Sequence, residues 1–367
     1  MSDNSSGILL DSTLRGQAAQ SVEPGLNGLP CVPGEVDIFL SSPPEAVCKA
    51  LRRLTGEFMV LGAAGKMGLH VCLMLRQALD RMGDTRRVIA VSRFSNPKAR
   101  DEFEGYGIHT AQCDLCQPDQ LEGLEEIENI IFMAGAKFGT ADQPWLLKQM
   151  NEDMPAMVAD RFSRSRITAF STGCVYSFQP VNSGGSTEAS ETEPVGAYAQ
   201  SCLGREMAFR RVASTMGTRV ALIRLNYSVE FRYGVPVDLV SKILSDTPID
   251  ITMGHANIIW QRDAVAHSIL AHELANTSPF IINVTGPETH RVRDLAEELG
   301  RRLGRKPKFI GKEAETAWIS DASLSHRLFG NPTTSINDML RWTALWQTAQ
   351  LPTLNKPTGF EKRDGNF

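Results

Sequence analysis

The sequence has no long apolar run. Nowhere in its 367 residues do about 18 consecutive apolar residues occur, so no bilayer-spanning helix is expected. The first thirty residues lack a basic segment followed by an apolar core, so no secretory leader is expected. Charge of one sign is also scarce. Thirty-eight Lys and Arg face 42 Asp and Glu, a net charge of −4, which leaves no electrostatic surplus to draw nucleic acid. Neither a nucleic-acid nor a membrane partner is expected. Cysteines number seven, an odd count, with none beyond Cys202, so reduced thiols in a cytoplasm fit better than a disulfide framework. Cys113 and Cys116 form one C-x-x-C with no second pair in register, and read as two thiols at a strand end rather than a metal site.

What is present is enough apolar material, 42% of the residues, to bury a sizeable core. Residues 1–56 carry Pro24-Gly25, Pro33-Gly34 and Ser41-Ser42-Pro43-Pro44, and read as a partly ordered N-terminal extension. One short helix is expected there: Ser42 can cap it, Pro43 or Pro44 can open it, and Val47, Leu51 and Leu54 supply a stripe. From residue 57 short apolar runs recur at 57–61, 87–91, 108–113, 127–133, 167–171, 218–225 and 280–284. Helical stretches separate them, one from about 143 to 162. That alternation predicts an α/β fold with a doubly wound parallel sheet covered on both faces. The tail, 351–367, is polar with two prolines and two glycines, and is expected to be loose.

Between the first run and the first helix lies Gly62-Ala63-Ala64-Gly65-Lys66-Met67-Gly68, with glycines spaced G-x-x-G-x-x-G. The first glycine permits a tight turn, the second lets backbone approach a pyrophosphate, and the third lets the helix pack on the sheet. The helix N-terminus adds amide donors and positive potential. Placed after a strand and before an amphipathic helix, this is a dinucleotide-binding turn. The second run ends Val91-Ser92-Arg93 with no carboxylate to hold a ribose hydroxyl. Ser92 and Arg93 suit a 2′-phosphate, so NADP is favoured over NAD. Asp114, beside Leu115 after the third run, sits where a carboxylate can meet the adenine amino group.

With those residues in place the chain resembles the extended short-chain dehydrogenase/reductase superfamily, in its NAD-dependent epimerase/dehydratase branch, over roughly residues 57–345. Phe132-Met133-Ala134-Gly135-Ala136, with Lys137 next, resembles the fourth-strand segment beneath the cofactor. Asn151 is similar to the asparagine on the following helix. Phe170-Ser171-Thr172-Gly173-Cys174-Val175-Tyr176 resembles the fifth-strand signature. The resemblance puts Thr172 and Tyr198 in the catalytic Ser/Thr and Tyr places, Ser171 and Leu225 by the cofactor, and Cys174 by the substrate. Arg224-Leu225-Asn226-Tyr227, Trp260-Gln261-Arg262-Asp263 and Asn283-Val284-Thr285-Gly286-Pro287-Glu288 are further ordered matches, and Asn226 stands at the substrate. The implied architecture is a Rossmann-type body at 57–222 with an interleaved, smaller substrate-binding lobe at 223–350. It also implies a homodimer through the helices beginning near Gln143 and Tyr198.

One position departs from the pattern. The family places a lysine four residues after the tyrosine, on the same helical face, where an ammonium lowers the phenol's pKa. Here that residue is Cys202. Three readings stay open. The charge comes from elsewhere, with Lys137 and Arg205 as candidates; Cys202 acts as a thiolate; or hydride chemistry is lost and the chain is a silent dinucleotide-binding regulator. In the first reading the protein oxidises a hydroxyl-bearing carbon of a sugar, sugar nucleotide or related polyol.

The remaining candidates are weaker. His267 and His272 are five apart, on different helical faces, and read as structural. His255 lies in a loop of the substrate half. Arg232 and Tyr233 follow the Asn226 motif and are expected to line the substrate pocket.

Overall fold

The computed structural model describes residues 29–30, 32–137 and 143–365. Pro24-Gly25 and Cys31 lie outside them. Seven strands form the main sheet: β1 (Phe58–Leu61), β2 (Val88–Ser92), β3 (His109–Gln112), β4 (Asn129–Phe132), β5 (Arg166–Thr172), β6 (Arg219–Leu225) and β7 (Phe280–Val284). Their order across the sheet is 3-2-1-4-5-6-7, every neighbouring pair parallel. The direction of strand order reverses between β1 and β4, so the crevice of a doubly wound sheet opens there. β7 comes late in the chain yet completes the sheet beside β6, so the C-terminal half is threaded into the main sheet.

Strand residues alternate between two cores, as a period of two requires. Phe58, Val60, Val88, Ala90 and Ile131 face one side; Met59, Leu61, Ile89, Val91 and Ile130 face the other. Two helices precede β1: α1 (Pro33–Ser41) and α2 (Glu45–Arg53). α3 (Gly68–Arg81) follows β1, α4 (Pro97–Gly105) follows β2 and α5 (Pro118–Glu122) follows β3. Between β4 and β5 the chain runs through α6 (Pro144–Lys148), a π turn (Gln149–Asp153) and α7 (Met154–Arg161). α8 (Ala197–Met216) leads to β6. α9 (Val235–Leu244), α10 (Gln261–Glu273), α11 (Val292–Leu303), α12 (Ser323–Phe329) and α13 (Ile336–Thr348) complete the chain. α9, α11 and α13 surround a third core built on Phe231, Trp260, Trp342 and Trp346.

Four expectations change. The single helix expected at 143–162 is interrupted, because Pro155 has no N–H to continue the ladder and the bond from Met154 N–H reaches back to Gln149. In the extension, the expected helix is α2, with Val47 and Leu51 fully buried, but its N-cap is Pro44. Ser42 serves instead as a partner for Arg81 and Arg262. α1 was not expected; Pro33 opens it, and it buries Asp37 and Ser41 along with Val36 and Leu40. The tail is not loose over its described part. Phe360 is 1% exposed within the third core, Thr358 bonds Asp238, and Gly365 packs against the Val195–Gly196 backbone ahead of α8.

Candidate active site

The glycine turn begins where β1 runs out. Gly62 sits at φ +84°, a left-handed conformation, and a Cβ there would stand 2.7 Å from the Ala134 backbone. Its N–H and that of Ala63 donate to Val91 O at 2.9 and 3.0 Å, tying the turn to β2. At Gly68 a Cβ would meet Ala63 O at 2.1 Å, so α3 begins directly against the turn. Two cavities meet here, sharing Gly62, Gly65 and Met133 on their walls.

The outer cavity, about 400 Å³, is bordered by Ala64, Ser92, Arg93, Asp114, Leu115, Ala134 and Gly135. Asn96, which caps α4 by accepting from Lys98 N–H, also lies on this wall with Phe94 and the thioether of Met150. The Asn96-Pro97 pair is a helix-start signal from which this border was readable. Cys113 and Cys116 line the same cavity as free thiols.

The inner cavity, about 300 Å³, is walled by Lys66, Met67, Gly68, Lys137, Ser171, Thr172, Cys174, Tyr198, Leu225, Asn226 and Tyr233. Tyr227, the last residue of the Arg224-Leu225-Asn226-Tyr227 match, also lines it, as do Ser228 and Thr358, which no motif in the sequence marks. Thr358 carried no local signal, because a polar tail gives none. Tyr227 is held at φ +34° between bonds from Asn226 N to Val284 O and from Ile259 N to Tyr227 O, a strained backbone fixed on the wall. The joined cavities lie at the crevice of the sheet, the place where doubly wound folds bind ligands.

Three expected site residues are not on either wall. Arg232 turns away to Asp37 (3.0 Å) and Glu230 (3.1 Å), where burying Asp37 in α1 demands a cation. Asn151, projecting from the π turn, is fully buried. It accepts from Ala136 N–H, donates to Ala136 O and Ser201 Oγ, and so fixes the loop after β4 rather than touching a ligand. Cys202 lies behind Tyr198, packed with Val175 and Tyr176, and is 0% exposed.

A model of the NAD dependent epimerase/dehydratase family matches residues 58–251, more than half of the chain. The chain belongs to that family. No curated protein matches it by sequence. Among solved structures, UDP-glucuronic acid 4-epimerase from Bacillus cereus, in complex with UDP-glucuronic acid and NAD, is 20% identical with a TM-score of 0.66. That match covers 80% of this chain and 99% of the other. The Bordetella bronchiseptica enzyme WbmG, in complex with NAD, is 15% identical with a TM-score of 0.67, over 84% of this chain and 98% of the other. A UDP-galactose 4-epimerase is 19% identical with a TM-score of 0.64, over 80% and 99%. At these identities the likeness is one of fold.

In this member of the epimerase/dehydratase family Tyr198 and Thr172 face one cavity, and their surroundings differ from a tyrosine–lysine pair. Burial pushes the Tyr198 hydroxyl well above the usual tyrosine range. Its side-chain hydrogen bond with Cys202 and the nearby Cys174 thiol push it further, while the Arg205 guanidinium pulls it back. Burial likewise raises the Cys202 thiol, so a thiolate there is disfavoured. Arg205, two turns beyond Tyr198 on α8, donates to Phe170 O at 3.0 Å and to Asn151 Oδ1. Lys137 Nζ lies 5.5 Å from the Tyr198 ring centroid.

Behind the wall runs a buried network. Glu206 holds Arg224 (2.7 Å) and accepts from Ser171 Oγ (2.7 Å); Arg224 donates to Tyr176 OH, which donates to Asn283. The matches at Arg224 and Asn283 therefore support the site from behind. Thr172 Oγ1 accepts from Cys174 N–H at 3.2 Å, which leaves its own O–H for a ligand. His267 and His272 bond Ser325 and Thr168, and burial holds them neutral, pushed down to about 4 and about 3. His255 pairs in a short ladder with Arg291 and lines neither cavity.

Proposed function

We propose that the protein is an NAD(P)-dependent oxidoreductase or epimerase-type enzyme acting at a hydroxyl-bearing carbon of a sugar, sugar nucleotide or related polyol. The observation that carries this reading is the shared wall: Tyr198 and Thr172 border the same cavity that opens onto the glycine turn. Backbone N–H groups of Ala64, Lys66 and Met67 ahead of α3 would hold the pyrophosphate, those of Gly65 and Gly68 being taken by Gly62 O and Gly65 O, and Met133, Ala134 and Gly135 would lie along the dinucleotide. A bound oxidised nicotinamide supplies the hydride acceptor. Thr172 donates to the substrate oxygen, and Tyr198 takes the hydroxyl proton. Arg205 supplies positive charge from α8 that Cys202 does not. The solved relatives hold NAD, which favours NAD; the expectation of NADP rests on Ser92 and Arg93 alone.

A second reading, a catalytically silent dinucleotide-binding regulator, is favoured by one observation: the Tyr198 hydroxyl is raised rather than lowered. Titration of NAD and NADP by calorimetry, followed by a panel of sugars and sugar nucleotides assayed for nicotinamide reduction by absorbance and for epimer formation by chromatography, separates the two. Tyr198→Phe is expected to cut turnover about 10²- to 10⁴-fold and leave dinucleotide affinity unchanged. Dinucleotide binding with no turnover in either form would establish the regulator. We also read the protein as a cytoplasmic homodimer. The six described free thiols suit a reducing compartment, and exposed Trp145 on α6 and Met207 on α8 suit an interface.

A further inference from the structure

The side chain of Lys66 does something the glycine turn does not require. The turn's backbone suffices for a pyrophosphate, yet Lys66 leaves it, crosses the inner cavity and ends on the opposite lobe. Its Nζ donates to Ser228 O at 3.1 Å and stands 3.7 Å from the Tyr233 ring centroid. One carbonyl and one aromatic face are modest partners for an ammonium with three N–H donors. Burial pushes it down to about 7, and a bound anion would restore its charge.

The rest of the wall agrees in sign. Lys137 reaches the same cavity from the β4 side, its Nζ 3.4 Å from Thr358 O. Among the described residues that line the cavity there is no Asp or Glu. Of the nearby carboxylates, Glu230 is bonded by Arg232, and its charge only partly offsets the burial of Lys66, while Asp238 is taken by the N–H and hydroxyl of Thr358. Size sets a second limit. About 300 Å³ is the low end of ligand sites, and it must take the nicotinamide end as well as the substrate. Thr358 lines the cavity, anchored through Asp238 beside the buried Phe360.

We propose that the substrate is a small polyhydroxylated acid, free of any nucleotide, whose carboxylate is held by Lys66 while a hydroxyl is presented to Tyr198 and Thr172. This rests on the hydride-transfer reading above and narrows its substrate class. A charge-assisted bond from Lys66 fixes one end of a short acid, and Lys137 adds positive potential near Tyr198. In the reaction the acid's C–H hydride passes to the oxidised nicotinamide, its hydroxyl proton passes to Tyr198, and a ketone or lactone results. The carboxylate itself does not change.

The test uses the full chain saturated with NAD or NADP, whichever binds more tightly. D-glucuronate, D-galacturonate and D-gluconate are titrated by calorimetry against D-glucose and UDP-glucose, and nicotinamide reduction is followed in parallel. Acids are expected to bind and react, and D-glucose and UDP-glucose to do neither. Lys66→Met is expected to weaken acid binding at least tenfold with dinucleotide affinity unchanged, and Lys66→Arg to restore most of it. Preference for D-glucose or UDP-glucose, or loss of dinucleotide rather than acid binding in Lys66→Met, overturns the proposal and leaves the hydride reading standing. Lys66-dependent acid binding with neither reduction of the nicotinamide nor epimer formation, read by chromatography, leaves the acid site standing and overturns the hydride reading. A chain that binds neither dinucleotide nor acid overturns both.

Discussion

As the base of the proposed reaction, Tyr198 lacks the lysine neighbour that would ionise it. Burial, Cys202 and Cys174 all raise its pKa, and Arg205 is the cation that opposes them. The sign of the pH dependence follows. Oxidation needs the phenolate, so below a pKa lying above 10 the rate of the oxidative direction should climb about tenfold per pH unit from neutral upward. The reverse reduction needs the phenol and should hold its rate near neutrality. Arg205→Met removes the opposing charge, so the oxidative profile should move to higher pH, and Arg205→Lys should move it part of the way back. An unchanged profile with intact melting would show that Arg205 only supports the loop through Asn151 and Phe170. At this scale the sequence was readable where chemistry is local. Gly62 to Gly68, Thr172, and the Tyr198-to-Cys202 spacing all lie within single turns. What it did not disclose were partners far along the chain: Lys66 to Ser228, 162 residues apart, and Arg232 to Asp37, 195 apart.

Elements obeyed the same division. The central strands are visible because a strand buried on both faces is apolar throughout; β3, an exposed edge strand of sequence HTAQ, is visible only through the buried Ile108 and Cys113 that flank it, and α2 through its stripe of Val47 and Leu51. α1 was hidden because its buried face includes Asp37 and Ser41, which are satisfied only by His70, Arg232 and a main-chain carbonyl. Residues 351–365 were misread for the opposite reason. A polar composition says nothing of two inward residues, Thr358 and Phe360, that fasten the segment to α9 and the third core. Phe360→Ala should cost about 3–5 kcal/mol in chemical denaturation, the usual loss for a fully buried phenylalanine. It should also make the bonds after Leu351 accessible to limited proteolysis. A cost below about 1 kcal/mol would mean that the segment rests on the surface without contributing to the core.

At the scale of the whole molecule, the strand order places both cavities at the carboxyl ends of the paired strands β1 and β4, where the connections that follow them separate. The helices on the α6 and α8 side carry the largest exposed apolar side chains, Trp145, Met207 and Met216, each more than 60% exposed. Light scattering should therefore give twice the chain mass, and Met207→Lys should shift it toward one chain without lowering the melting temperature. A wild-type mass of one chain would remove the dimer.

The walls of the inner cavity also set an order in time. A chain emerging from a ribosome delivers Gly62 early, Tyr198 midway and Thr358 only near the close of its described length. The turn, the tyrosine and the sheet through β6 can gather first, but β7 and the Thr358 segment arrive later, and such distant pairings form slowly. The nascent chain would thus assemble the wall of the outer cavity before it completes that of the inner one. Its maturation is then a matter of which half is made first.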